Sequence, residues 1–280
     1  MNVITYERRK VTNLVMLGLC TAAACLAIGI LALILAFVLF KGISAINLDF
    51  FIRMPKPIGE SGGGVANSIA GSVLTVGMAG VIGIPVGVGA GVFVAEMAGP
   101  RLATAVRFTA DVLTGVPSIV VGILAYTWVV TKMGHFSALA AAVALAIIML
   151  PIMARSSEEM LKLVPQSQRE AALALGVTRW RTILSIVIPA ARRGLITGGL
   201  LAVARAAGET APLLFTALGN RFWSLSVTGG PVDTLPLRIY QYATGPSDIA
   251  HQQAWAASFV LVTMVFFISL LARVLLSRRG

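Results

Sequence analysis

Charged residues are scarce in this 280-residue chain. Asp, Glu, Lys and Arg make up 12% of it, hydrophobic residues make up 58%, and the mean hydropathy is +0.91. A soluble domain of this length has about 25% charged residues, so the composition excludes one. The low charge, together with long uncharged runs, indicates an integral membrane protein.

Residues for several kinds of chemistry are also missing. The chain has no G-x-x-x-x-G-K-[ST] phosphate loop, because the stretch from Gly59 to Gly64 lacks the lysine. We therefore do not expect the chain to hydrolyse ATP or to act as an enzyme. Its two cysteines lie in one apolar run, and His135 and His251 lie in predicted loops without a second ligand. No disulfide, metal site, cofactor or Ser-His-acid set is expected.

Apolar runs long enough to cross a bilayer predict an all-α membrane protein with six transmembrane helices. The predicted spans are Leu14–Phe40, Val65–Ala95, Leu102–Val130, Phe136–Ala154, Gly194–Leu218 and Ala254–Leu276. We expect residues 1–64 to hold a cytoplasmic head, the first span and a periplasmic loop. Residues 65–276 should form a core of five helices with a cytoplasmic loop at about 156–193, and residues 277–280 a basic cytoplasmic tail.

The basic residues predict orientation in the membrane rather than nucleic-acid binding, although the net charge is +11. Six spans place both termini on one side. That side carries 15 of the 22 Lys and Arg, against 6 on the other, with Arg205 inside a span. By the positive-inside rule, both termini and the loop at 156–193 should be cytoplasmic, where basic residues face anionic lipid.

The stretch from Glu170 to Pro189 predicts a short cytoplasmic docking helix. Ser167 and Glu170 have the S-x-x-E spacing of a capping box, and Ala171 and Ala172 favour helix. Gly176 can adopt the left-handed conformation that ends a helix, and Pro189 is expected to break the apolar segment that follows. The alternative is an ordinary amphipathic loop.

Three glycines at four-residue spacing, Gly83, Gly87 and Gly91, predict a smooth strip on one face of the second span. Small residues at this spacing allow close packing of membrane helices. Pro85, in the same run, is expected to kink or interrupt the helix.

Charged residues inside predicted spans need a reason, because each costs about 2.5–3.5 kcal/mol on insertion scales. Arg205 and Glu209 are four residues apart and can pair on one helix face. They are either a packing clip, in which the two charges neutralise each other and hold helices together, or part of an anion path. The second interpretation is open because Arg presents a fork of donors to oxyanions. Arg155 is either a snorkelling interface residue or a path residue. Asp111 should pair with Arg107 or with a neighbouring helix.

Three stretches resemble a known family. Glu170-Ala171-Ala172, with Gly176 and then Ile186-x-Ile188-Pro189, resembles the cytoplasmic loop of type I ABC importer (MetI-like) permeases, although Leu is usual where Ile188 stands. The stretches 111–119 and 205–218 resemble signature segments of the phosphate-import members of that family. The similarity extends from about residue 65 to residue 276.

The resemblance implies a bundle of about six helices that forms half of a path for inorganic phosphate. It implies that Arg155, Arg205 and Glu209 line the path and that a separate ATPase is coupled through Glu170, Ala171, Ala172, Gly176 and Pro189. The implied partners are a second permease subunit, two ATPase subunits and a periplasmic phosphate-binding protein that docks on the outer loops 41–64 and 219–253. Transport would proceed by alternating access.

Three alternatives stay open. A permease of the same class could carry sulfate or molybdate. A secondary anion transporter or channel would need no ATPase, and its typical mark is an inverted repeat, which we do not find in this sequence. A regulatory membrane scaffold is the third alternative.

Overall fold

The computed structural model describes residues 3–57, 60 and 62–277, and the side chains of residues 8–57, 60 and 62–270. Most of the predicted basic tail, residues 278–280, lies outside this part, as do Gly59 and the first two residues of the predicted head. Regular structure in the described part is helical, apart from one isolated bridge between Leu218 and Val232.

The helices are numbered in chain order. They are α1 Val3–Ile43, α2 Leu48–Ile52, α3 Ala66–Met97, α4 Pro100–Gly115, α5 Ser118–Met133, α6 Ala138–Lys162, α7 Gln166–Ala174, α8 Arg179–Ala207, α9 Ala211–Thr216, α10 Leu235–Ala243 and α11 Asp248–Ser277. Five of them (α1, α3, α6, α8 and α11) are long and apolar enough to cross a membrane. A bent pair, α4 and α5, makes the number six if the two count as one span.

The third predicted span, Leu102–Val130, is not one helix. It is divided into α4 and α5, whose axes differ by 100°. Val116 is extended, with φ −68° and ψ 129°, because a residue that precedes proline is disfavoured in the helical region. Pro117 therefore ends α4 and re-aims the chain into α5.

The fifth predicted span, Gly194–Leu218, is also wrong in its limits. Helix α8 begins earlier, at Arg179, and ends at Ala207, and α9 starts only at Ala211. Pro189 does not break this helix, contrary to the prediction. A wider π-helical turn at Ile183–Val187 precedes it and relieves the clash of the proline ring with the carbonyl of Ser185.

Helices α3 and α6 pack closely along the glycine strip. A Cβ added to Gly87 would lie 2.6 Å from the Cβ of Met153, and one added to Gly91 would lie 2.5 Å from the Cβ of Ser157. Gly83 lies against α6 too, with 3.2 Å from such a Cβ to the Cβ of Met149. Pro85 lies inside α3, which continues through it, so of the two expected effects, a kink or an interruption, the interruption does not occur.

Small side chains dominate the core that holds the two helices together. Ala138, Ala142, Leu145 and Met149 of α6 are fully buried and pack with residues of α3, α8 and α9. Helix α1 packs on α11 near its C-terminal end, where Phe37 meets Trp255 edge to face with ring centroids 5.0 Å apart. Most of the rest of α1 is exposed.

Candidate functional site

Arg205 lies where the two signature stretches meet. It stands in the last turn of α8 and lines a small cavity of about 20 Å³. The same cavity is lined by Thr114 of α4, Ser118 of α5 and Pro151 of α6. Close packing of Gly122 in α5 against Pro212 in α9, with 2.6 Å from an added Cβ to the Pro212 Cα, holds the second stretch beside the break between α4 and α5.

The sequence predicted Glu209 and Arg205 on one helix face. Glu209 is near Arg205, but it does not lie on the same helix. Helix α8 ends at Ala207, and Gly208 caps it, so Glu209 lies in the break before α9. Arg205 Nη2 is 3.7 Å from Glu209 Oε1, which is an ion pair but too long for a hydrogen bond. The Arg205 side chain is 53% exposed and the Glu209 side chain 18%. The guanidinium therefore keeps donors free for an anion.

Arg155 is tied into an ionic cluster between α4 and α6. Its Nε is 3.4 Å from Asp111 Oδ1, and its Nη1 is 3.6 Å from Glu158 Oε2. Asp111 thus pairs with the neighbouring helix, the second of the two expected partners. Arg107 turns instead to Glu158, with 2.7 Å between Nε and Oε1.

Glu158 is the residue of this cluster that sequence reasoning missed. Its side chain is only 4% exposed, and Lys162 is a third cation in contact with it. The predicted span ended at Ala154, whereas α6 continues to Lys162 and carries Glu158 on the face that packs against α4. The sequence did contain one signal for these ion pairs, because Glu158 lies three residues after Arg155 and four residues before Lys162.

The predicted docking helix is present as α7, but its start differs from the prediction. Pro165 precedes its first residue, and no side chain caps its N-terminus, so the capping box of Ser167 and Glu170 does not form. Its end is as predicted, because Gly176 has φ 77°. The amide of Gly176 donates to Leu173 O at 2.9 Å, and the amide of Val177 donates to Ala172 O at 3.1 Å, which together form a Schellman cap.

An exposed surface surrounds α7. Glu170 and Ala171 are exposed, whereas Ala172 is buried against the rest of the chain. Large apolar side chains beside them are also exposed, with 84% of Leu175 and 59% of Trp180 accessible. Pro189 is exposed as well and lies further along α8. Apolar residues of this size at the end of a basic loop are typical of a contact surface.

A second buried ion pair lies at the N-terminal end of α3. Arg238 of α10 donates to Asp233 Oδ2 from Nε at 2.9 Å and from Nη2 at 2.7 Å, and Ser68 of α3 donates to the same oxygen. Burial raises the pKa of the Asp233 carboxyl, and the guanidinium of Arg238 opposes that rise. Asn67 adds a bond from its amide to Asn220 O at 2.6 Å. These contacts fasten the loop at 219–238 to α3.

Comparison with known proteins decides the family. Residues 87–279 match the model of the family described as "Binding-protein-dependent transport system inner membrane component". The chain belongs to this family.

Among relatives of this inner membrane component, the phosphate transport system permease protein PstA of Yersinia pestis is 44% identical over 272 residues, which are 97% of this chain and 92% of that protein. PstA of Haemophilus influenzae is 42% identical over 266 residues, 95% of this chain and 94% of that protein. PstA 1 of Mycobacterium tuberculosis is 40% identical over 211 residues, 75% of this chain and 68% of that protein.

Solved structures agree on the fold of the inner membrane component. An inward-facing structure of the MetNI methionine ABC transporter superposes with a TM-score of 0.59 at 22% identity, covering 76% of this chain and 93% of that chain. A second crystal form gives 0.58 at 20% identity, with the same coverage. The chain therefore has the all-α permease fold of type I importers, and its family match makes it a transport component.

Proposed function

We propose that the chain is the transmembrane permease subunit of an ATP-driven phosphate importer and forms half of the path for inorganic phosphate. The observation that carries this proposal is the 44% identity to a phosphate permease over 97% of the chain. The geometry supports it, because Arg205 stands exposed beside the break between α4 and α5 with a carboxylate 3.7 Å away. A cation whose charge is partly offset by a nearby carboxylate can bind an oxyanion and still release it.

The second path residue in this proposal is Arg155. It is held by Asp111 and Glu158, whereas Arg205 has one partner at 3.7 Å. At Arg205, phosphate would contact a guanidinium that has one weak ion pair. At Arg155, it would contact a guanidinium that two carboxylates already neutralise. This difference favours binding at Arg205 and onward movement past Arg155.

Coupling to ATP hydrolysis would occur at α7. Glu170, Ala171, Ala172, Gly176 and Pro189 are the proposed coupling residues, and the exposed Leu175 and Trp180 enlarge the surface offered to an ATPase. This role requires a cytoplasmic α7, with both termini also in the cytoplasm. We also propose that residues 1–64 are an N-terminal addition to a core of five helices formed by residues 65–276.

The proposed complex has four kinds of subunit. A second, PstC-like permease completes the path, two PstB-like ATPase subunits lie beneath, and a PstS-like periplasmic protein brings phosphate to the loops 41–64 and 219–253. The alternative substrates are sulfate and molybdate. A secondary transporter would move its anion without an ATPase.

The test is transport by the complete complex in proteoliposomes. We expect ATP-dependent uptake of labelled phosphate that excess unlabelled phosphate suppresses and sulfate or molybdate does not. The Arg205→Gln variant should lose uptake with the complex still assembled, whereas the matched control Arg193→Gln, an exposed arginine on the same helix, should retain it. Uptake without ATP, or suppression by sulfate alone, would refute the proposal, and loss of assembly in Arg205→Gln would indicate a packing clip.

A further inference from the structure

Arg169, the residue before Glu170, connects α7 to the cytoplasmic end of α3. Its Nη2 lies 2.6 Å from Glu96 Oε1, and its Nε lies 3.2 and 3.3 Å from the two carboxylate oxygens. The two side chains are 14% and 8% exposed. A forked guanidinium on a carboxylate fixes orientation as well as distance, so this contact is geometrically specific.

The same guanidinium also holds the end of α6. Nη1 donates to Val164 O at 2.5 Å, and Nη2 donates to Leu161 O at 2.9 Å. These carbonyls lie at and just beyond the C-terminus of α6, where backbone acceptors have no partner within the helix and where a cation is favoured. One side chain of α7 therefore makes polar contacts with the ends of both α3 and α6.

Glu96 is presented by an unusual turn. Helix α3 ends in a π-helical turn at Phe93–Met97, closed by the bond from Ala98 N to Phe93 O at 2.8 Å. Arg179, the first residue of α8, donates to the backbone carbonyl of Glu96. The end of α3 is thus held from both sides, by the residues that flank the predicted ATPase contact.

The space around this contact is largely open. A cavity of about 520 Å³ separates the segment at 163–183 from the end of α3 and is lined by Glu96, Lys162, Arg169, Leu173, Arg179 and Thr182. Helices α3 and α6 have no such space between them, because the glycine strip brings them into contact. A force on α7 would therefore reach this helix pair directly through the polar contacts of Arg169. A second route runs through α8, whose Val187 and Ala191 pack in an apolar cluster with Leu161 and Val164.

We infer that Arg169 and Glu96 form the link that transmits movement of α7 to the α3–α6 pair. The inference rests on the proposed function and makes Arg169 and Glu96 positioning residues that contact neither phosphate nor nucleotide. When the link is intact, α7 and the α3–α6 pair move as one body. When it is broken, the ATPase still turns over, but α7 shifts without carrying the spans along.

The experiment measures phosphate imported per ATP hydrolysed by the complete complex in proteoliposomes. Arg169→Lys keeps the charge and removes the fork, and Glu96→Gln keeps the shape and removes the charge. We expect each to lower the ratio about tenfold, within the range typical of coupling between sites, with ATP hydrolysis retained. The double variant should show no further loss, because both changes break one link. Arg193→Lys and Glu159→Gln, both at exposed positions, are matched controls that should leave the ratio unchanged.

A second measurement does not depend on how the variants assemble. Spin labels at the exposed positions 97 and 168, with Cys20 and Cys25 replaced by serine, report the separation of α3 and α7 with and without ATP. We expect an unchanged distance in the otherwise native complex.

Three outcomes would overturn the link: a separation that changes by several ångströms between the two states, an unchanged transport ratio in the Arg169 and Glu96 variants, or additive losses in the double variant. The absence of any ATP-driven phosphate uptake by the native complex would refute the proposed function instead.

Discussion

Substitution of Gly91 by alanine tests whether α3 and α6 are held at the distance that their glycine contacts set. The added Cβ would lie 2.5 Å from Ser157 Cβ, 2.8 Å from Ala154 O and 2.9 Å from Glu158 N. Two of these three atoms belong to the backbone of α6, so no side-chain rotation can relieve the clash. The helices must separate by roughly 1 Å to restore ordinary contact, since packed interiors have little free space.

The expected cost follows from that geometry. Overpacking of this kind costs about 1–3 kcal/mol, which lowers the Tm by several degrees, at about 2–4 °C per kcal/mol for a chain of this order of size. The matched control is Gly89→Ala in the same helix, because a Cβ there meets nothing within 4 Å. Alanine at an open helical position should be neutral or stabilise by about 0.5–1 kcal/mol.

The assay is thermal unfolding of the purified protein in detergent, with Gly83→Ala as an intermediate case. The closest carbon to its added Cβ is at 3.2 Å, so we expect a smaller loss than at Gly91. The order of Tm should be Gly89→Ala above Gly83→Ala above Gly91→Ala. Equal stability of the Gly89 and Gly91 variants would refute the close α3–α6 contact.

Three further predictions concern single side chains. Glu158→Ala removes a buried carboxylate that three cations contact. Their side chains are 33–51% exposed and can be solvated once it is gone, so the loss of stability in thermal unfolding should be about 1.5–3 kcal/mol, whereas Ala at the exposed Glu159 should have little effect. Gly176→Ala forces a side chain into the left-handed region at a cost of about 1–2 kcal/mol, so less ATPase should co-purify; full retention would contradict a role for this turn in docking. The pKa of Asp233 is higher in the folded than in the unfolded protein, so its contribution to stability is present at low pH and is lost as pH rises from about 4 through the raised folded pKa. Asp233→Asn should remove that part of the pH dependence of Tm, and an unchanged profile would show that the carboxyl does not titrate in this way.

Local patterns in the sequence predicted those features that depend on nearby residues. The left-handed Gly176 follows from the helix formers before it, and the long apolar runs predicted the main spans. The glycine spacing on α3 placed three small residues on one face, and the structure shows that this face lies against α6. In each case the period of the helix supplies the geometry.

Features that depend on tertiary contacts were not predictable in the same way. The spacing of Glu158 to Arg155 and Lys162 indicated ion pairs, but no local pattern showed that Glu158 would be buried between α4 and α6. Nor did any local pattern show that Arg169 would reach Glu96, 73 residues earlier. Pro189 was wrongly expected to break the apolar segment around it. The helix continues because a π turn upstream can absorb the strain of a proline. Pro117 was overlooked, although its effect on Val116 is local, since the apolar run around it continues on both sides.

The break at Pro117 has a consequence for how the protein enters the bilayer. Helix α4 is 16 residues long, and the sharp bend prevents it from joining α5 into one straight rod. About 20 apolar residues are needed to cross the hydrocarbon layer, so neither half would stay embedded without support. Their residence in the lipid therefore depends on neighbours that come later in the chain, above all α6. During synthesis this region should settle only after those neighbours have left the ribosome.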